Sequence, residues 1–150
     1  MAHTFLTIHL HCVFSTAGRH PWISPDIAPR LHSYIVGIAK ENGIHLRAIG
    51  GPENHVHMLL SLPGTMSISK AIQLIKGGSS KWVHNTFPLL ADFTWQEGFS
   101  SFSISSSHVD DTIAYISNQR EHHRVLTFQD EYRAFLDRNG VAYDERHVFG

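Results

Sequence analysis

A ferredoxin-like α+β sandwich, running strand-helix-strand-strand-helix-strand with two helices appended, is the fold this sequence predicts. Three observations point to it. Segments of period-two alternation and segments of helical periodicity follow one another in that order, and breaks bearing Gly, Pro or Asn separate them. A chain of 150 residues with 42% hydrophobic content is long enough for one compact core and too short for two. Residues 1–150 are therefore expected to form a single domain.

The elements follow in order. Phe5 to Phe14 is rich in β-branched and aromatic residues and alternates, which predicts the first strand. Pro21-Trp22-Ile23-Ser24-Pro25 ends it and opens a helix with Leu31, Tyr34, Ile35 and Ile38 at helical spacing, stopped by Asn42-Gly43. Ile44 to Ile49 and His55 to Leu62 read as two strands joined by the polar loop Gly50-Gly51-Pro52-Glu53-Asn54. Ser67 is placed to cap a long helix whose apolar face is Ile68, Ala71, Ile72, Ile75, Trp82 and Val83. Gly77-Gly78 in its middle implies close packing or a local break. Trp95 to Ser105 predicts a fourth strand, bent near Gly98. Ser107 is expected to begin a helix with Asp110 closing a capping box. A last helix starts near Thr127, buries Phe128, Tyr132, Phe135 and Leu136, and ends at Asn139-Gly140.

Composition excludes several classes. The single Cys12 allows no internal disulfide and no cysteine-based zinc site. Met1 to Ser15 lacks a basic start and an apolar run, so neither a secretory signal nor a membrane anchor is expected, and a cytoplasmic location is. A formal charge of −1 argues against coating duplex DNA by bulk electrostatics but leaves room for a local basic groove.

The anomaly is 13 histidines. Two His-x-His pairs occur, His9-Leu10-His11 and His55-Val56-His57, and at this histidine content roughly one such pair arises by chance. On a strand, residues i and i+2 share a face about 6–7 Å apart, so each pair could aim two imidazoles at one metal ion or phosphate. Val56, Met58 and Leu60 form a uniformly apolar set that claims the core, which leaves His55 and His57 on the opposite face. The plainer alternative is two hydrogen-bonded histidines with no chemistry.

A second constellation lies on the helix expected from Val109 to His122. At about 100° per residue, Val109, Ile113 and Ile116 define its core side, and Tyr115, Gln119 and His122 fall together on a flank. The i, i+4 spacing sets the Tyr115 hydroxyl beside the Gln119 amide. An amphipathic tyrosine lying across a sheet edge is the plainer reading. Taken together, two imidazoles and an amide oxygen make an incomplete coordination sphere with room for a phosphate oxygen. A phenol beside it could attack phosphorus, and a covalent phosphotyrosine conserves the phosphodiester energy for rejoining.

These residues resemble a known family. Glu53-Asn54-His55-Val56-His57-Met58-Leu59-Leu60 resembles the His-hydrophobic-His motif of HUH endonucleases. Thr112-Ile113-Ala114-Tyr115-Ile116-Ser117-Asn118-Gln119 resembles the tyrosine helix of the single-tyrosine HUH transposases, which include insertion-sequence transposases and REP-associated tyrosine transposases. The likeness extends through Phe14-Ser15-Thr16, Lys76-Gly77-Gly78-Ser79-Ser80, Trp95-Gln96-Glu97-Gly98-Phe99, Glu121-His122-His123 and Phe128-Gln129-Asp130-Glu131-Tyr132. It implies that His55, His57 and Gln119 bind Mg²⁺ or Mn²⁺. It also implies that Tyr115 attacks a single-stranded DNA phosphate, leaving a 5′-phosphotyrosine and a free 3′-hydroxyl. Imperfect DNA hairpins are the implied partner, and a homodimer the implied assembly.

For DNA affinity, Lys70 and Lys81 fall near one face of the long helix, with Lys76 about 120° away. Arg120, His122 and Arg124 follow the tyrosine, and His122 is expected either to contact DNA or to orient Tyr115. A solvated charged face is the competing reading of the cations. His9 or His11 could lie beside His55 or His57, because the first and third strands of such a sheet are neighbours. Two other functions stay open: a domesticated, non-transposing module that only binds hairpin DNA, and a histidine-triad nucleotide hydrolase. In the latter, Leu59 stands where a third histidine belongs.

Overall fold

The computed structural model describes residues 3–119 and 126–149. Four strands, β1 (Leu10–Ser15), β2 (His45–Gly50), β3 (His55–Ser61) and β4 (Ser100–Ser103), form an antiparallel sheet in the order β2-β3-β1-β4. The helices α1 (Ala28–Glu41) and α2 (Ile68–Thr86) connect β1 to β2 and β3 to β4, which completes the ferredoxin-like order. Helices α3 (Val109–Ser117) and α4 (Phe128–Arg138) follow.

Alternation along the central strands assigns the two faces. Cys12 and Phe14 of β1 and Val56, Met58 and Leu60 of β3 pack with Leu31, Ile35 and Ala39 of α1 and Ala71, Ile72, Ile75 and Val83 of α2. The other face presents Val13, which packs with Phe128, Tyr132 and Phe135 of α4, and Leu59, which packs with Val109 and Ile116 of α3. The two appended helices thus cover the face that α1 and α2 leave open.

Local chemistry agrees with most of the expected boundaries. The Ser67 hydroxyl accepts from the Lys70 amide at the start of α2, and the Thr127 hydroxyl accepts from Asp130 at the start of α4. Gly78 is where α1 presses on α2: a Cβ there would lie 2.8 Å from the Ile38 side chain. The close-packing explanation holds at Gly78, whereas Gly77 meets nothing.

Three expectations need correction. The first strand begins at Leu10, not Phe5, and Phe5 is 90% exposed. Pairing with β3 runs only from Leu10–Leu60 to Ser15–His55, so residues before it lack a partner ladder. The fourth strand is only four residues long, and Trp95 makes an isolated bridge to Thr16. Residues 95–99 are instead clasped to α2. The Lys76 ammonium donates to the carbonyls of Gln96 (2.7 Å) and Gly98 (2.6 Å), and the Trp95 indole donates to the Ser79 hydroxyl at 3.0 Å. Finally, Ser107 lies in a one-turn 3₁₀ helix, Ser106–His108, and the N-cap of α3 is His108 with no side-chain cap bond. No capping box forms, and α3 ends at Ser117 with Asn118 as its C-cap.

Candidate active site

On β3, His55 and His57 lie on the face opposite Val56, Met58 and Leu60, as the alternation requires, and both are completely buried. The helix above them explains the burial. The face of α4 that meets the sheet carries Phe128, Glu131, Tyr132 and Phe135, so a carboxylate occupies an otherwise aromatic stripe. Glu131 is 2% exposed, and its Oε1 lies 2.9 Å from His57 Nε2 and 3.3 Å from His55 Nε2. The three side chains offer ligand atoms all within 4.8 Å of one another.

The outer nitrogens define the imidazoles further. Asn54 Oδ1 lies 2.8 Å from His55 Nδ1, and a carbonyl oxygen can only accept, so Nδ1 carries the hydrogen. With that tautomer His55 Nε2 turns a lone pair toward the Glu131 carboxylate. Two lone pairs at 3.3 Å require a cation or a hydrogen between them: a bound metal ion, or a proton on the imidazole or on the carboxyl. His57 Nδ1 is held at 2.8 Å by His11 Nε2 from β1. Burial, then the His57 neighbour, lowers the His11 pKa to about 3, so His11 is a neutral prop and adds no competing charge.

The spacing suits a divalent ion. Neighbouring ligands at about 2.1 Å from an octahedral cation stand about 3.0 Å apart, close to the two carboxylate–imidazole distances. Carboxylate oxygen suits Mg²⁺ and Mn²⁺ and imidazole favours the later transition ions, so this mixed donor set admits a divalent cation without selecting one.

Tyr115 comes to the same place from α3. Its ring centroid is 5.8 Å from that of His57, and its hydroxyl donates to Glu131 Oε2. Burial, then the hydrogen bond and charge of Glu131, push its pKa above that of a free phenol, while Gln119 and Arg138 pull the other way. One carboxylate therefore joins the two halves of the site: Oε1 faces the imidazoles and Oε2 holds the phenol proton. The docking of α3 depends on Gly50 at the end of β2, where a Cβ would lie 2.4 Å from the Ile116 carbonyl oxygen.

Of the residues singled out from sequence, His55, His57 and Tyr115 are brought together within one chain. Gln119 is 1% exposed. Its Nε2 donates to the Tyr115 carbonyl at 3.2 Å, and its Oε1 is buried with no hydrogen-bond partner among the described residues. Lys70 and Lys81 are exposed on α2, across the sheet from the histidines. Lys76 is bound into its carbonyl clasp, with the ammonium 5.0 Å from the Phe14 ring centroid. Arg120, His122 and Arg124 lie outside the described residues. Leu59, at the third alternate position, packs under α3 and brings no imidazole. Glu131 is the candidate ligand that the sequence reading did not single out. Its signal was present as an acidic residue three after Phe128 and four before Phe135, inside the apolar stripe.

The fold is that of small transposases. A solved transposase structure from Deinococcus radiodurans superposes with a TM-score of 0.65, covering 79% of this chain and 96% of that one at 23% identity. A REP-associated tyrosine transposase bound to a REP hairpin superposes at 0.60, covering 82% and 74% at 17% identity. A family model described as IS200-like transposase matches residues 4–119, and the chain belongs to that family. The ISDra2 transposase TnpA of Deinococcus radiodurans is 25% identical over 88 residues, 59% of this chain and 63% of that protein. Among the described residues, no helix is long and apolar enough to cross a membrane.

Proposed function

We propose that residues 1–150 act as one domain that cleaves and rejoins single-stranded DNA through Tyr115, with a divalent cation held by His55, His57 and Glu131 and with Gln119 as a further oxygen donor. The observation that carries this reading is the convergence of His55, His57 and Glu131, with ligand atoms within 4.8 Å of one another, on the same carboxylate to which Tyr115 donates its hydroxyl. Bound there, Mg²⁺ or Mn²⁺ would polarise a phosphoryl oxygen and favour attack on phosphorus.

The chain's own groups divide the remaining work. Tyr115 Oη forms the new bond to phosphorus, the bond from phosphorus to the 3′-oxygen breaks, and that oxygen leaves with a proton as a 3′-hydroxyl. Glu131 Oε2 already accepts the phenol proton and lies ready to take it as Oη attacks. Asn54 and His11 fix the ring orientations of His55 and His57. The reverse reaction, with a 3′-hydroxyl attacking the phosphotyrosine, rejoins the strand. In this arrangement Tyr115 faces the histidines of its own chain, and a dimer so built would carry two whole sites. The hairpin bound by the REP-associated relative supports hairpin-marked DNA as the partner.

Incubating the protein with Mn²⁺ and a hairpin-bearing single strand tests the proposal. A denaturation-resistant protein–DNA adduct is expected with wild type and absent with Tyr115→Phe. An adduct undiminished in Tyr115→Phe refutes the nucleophile.

A further inference from the structure

Beside Tyr115 lies a cleft of about 250 Å³, lined among others by His11, Ile104, Asp111, Phe135 and Arg138. It shares Tyr115 and His11 with the site above but is not lined by His55, His57 or Glu131. One wall is apolar, from Ile104 and the edge of Phe135. One rim is cationic: Arg138, in the last turn of α4, lies over the Phe135 ring with Cζ 5.2 Å from its centroid.

The pairing of the C-terminal arginines sets Arg138 apart. Arg133 is bonded to Glu145 at 3.0 Å and Arg146 to Asp144 at 3.1 Å, whereas Arg138 forms no ion pair among the described residues. A guanidinium laid on an aromatic face keeps its edge donors free for the fork-like bonding that phosphate oxygens accept. Its charge is felt in the cleft, where it acts on both His11 and Tyr115. Asp111, the cleft's carboxylate, belongs to the first turn of α3, where it complements the helix N-terminus. The Arg138 end is therefore the side of the cleft that favours an anion.

We propose that this cleft seats the nucleotide adjoining the scissile phosphate. The Arg138 guanidinium holds a backbone phosphate of single-stranded DNA, and Ile104 and Phe135 receive the apolar surface of the nucleotide. The assignment rests on the Tyr115 reading, because its purpose is to bring a strand to that hydroxyl. Arg138 is then a positioning residue that fixes where along the strand Tyr115 meets phosphorus.

The test compares wild type with Arg138→Gln, Arg138→Lys and Arg146→Gln in chelator, by fluorescence anisotropy. The probes are a hairpin with a single-stranded flank and the same hairpin without it. Arg138→Gln is expected to weaken binding of the flanked DNA about tenfold or more while leaving the bare hairpin unchanged. It should also flatten the dependence of log affinity on log salt by about 0.7, the share of one single-strand phosphate. Arg138→Lys should recover part of the affinity, and Arg146→Gln should match wild type. Equal affinity and equal salt slope for wild type and Arg138→Gln overturn the proposal, as does a wild type indifferent to the flank. Flank binding that depends on Arg138 without any adduct in Mn²⁺ leaves the cleft standing and removes the tyrosine chemistry.

Discussion

Replacing Glu131 by Gln keeps the shape of the side chain and removes the one negative charge between His55 and His57. The consequence is computable through ligand linkage. With Mn²⁺ at a hundred times its dissociation constant, the native state gains about 2.7 kcal/mol over the metal-free protein. For a chain of this length that raises Tm by about 5–11 °C. Losing a supporting hydrogen bond weakens a bound ion about ten- to a hundredfold, and exchanging the anionic ligand itself for a neutral amide should reach the upper end of that range, about a hundredfold. At the same Mn²⁺ concentration the variant then gains only about 0.4 kcal/mol, or roughly 1 °C. Differential scanning fluorimetry with and without Mn²⁺ reads both shifts directly. Gln119→Ala, which removes an uncharged donor, should lose less of the shift than Glu131→Gln. A full Mn²⁺ shift in Glu131→Gln would show that the ion is held elsewhere, and the assignment of Glu131 would fail.

Three more outcomes follow from the same geometry. Mixing Tyr115→Phe with His55→Ala should not restore adduct formation, because the site is assembled within one chain; recovered activity would show exchange of the tyrosine helix between subunits. Gly50→Ala should destabilise the protein by about 1–3 kcal/mol, since the new Cβ meets the Ile116 carbonyl and pushes α3 away. Denaturant unfolding measures the loss, and a variant as stable as wild type refutes that docking contact. Stability should also fall as pH drops through the window from about 6.5 to about 3. The unfolded chain protonates His11 there while the folded one keeps it neutral. His11 contributes up to about 1.4 kcal/mol per pH unit to that fall, and unfolding curves for His11→Gln should be visibly flatter between pH 6 and 4.

How far the sequence reaches differs between the sheet and the site. The alternation of Val56, Met58 and Leu60 with His55 and His57 was legible, because a strand buried on one face leaves a period-two record. The burial of those histidines was not, since it depends on α4, which lies far away in sequence and folds back over them. Glu131 escaped for the same reason: one acidic residue in a helix ordinarily points to solvent, and only the tertiary fold turns it inward. Lys76 has a bond that its charge did not announce. Its charge suggested DNA, and nothing in the sequence signals that the bend at residues 95–99 also takes its ammonium as a hydrogen-bond donor. Trp95 read as strand from its aromatic bulk, but its place is set by Ser79 and its ring contacts with Phe14 and Phe93.

The two-faced pattern of β3 has a bearing on how such a protein can change over time. Its oily residues act as a ruler for its imidazoles: sliding the strand by one position would bury His55 and His57 among α1 and α2 and turn Val56 and Met58 toward α4. Point changes on the α1–α2 side can therefore accumulate so long as hydrophobicity and volume are kept, without disturbing the chemistry opposite. A single inserted or deleted residue within β3 has no such latitude. Lineages descended from this chain should vary freely in the identity of those aliphatic residues and hardly at all in the length of the strand.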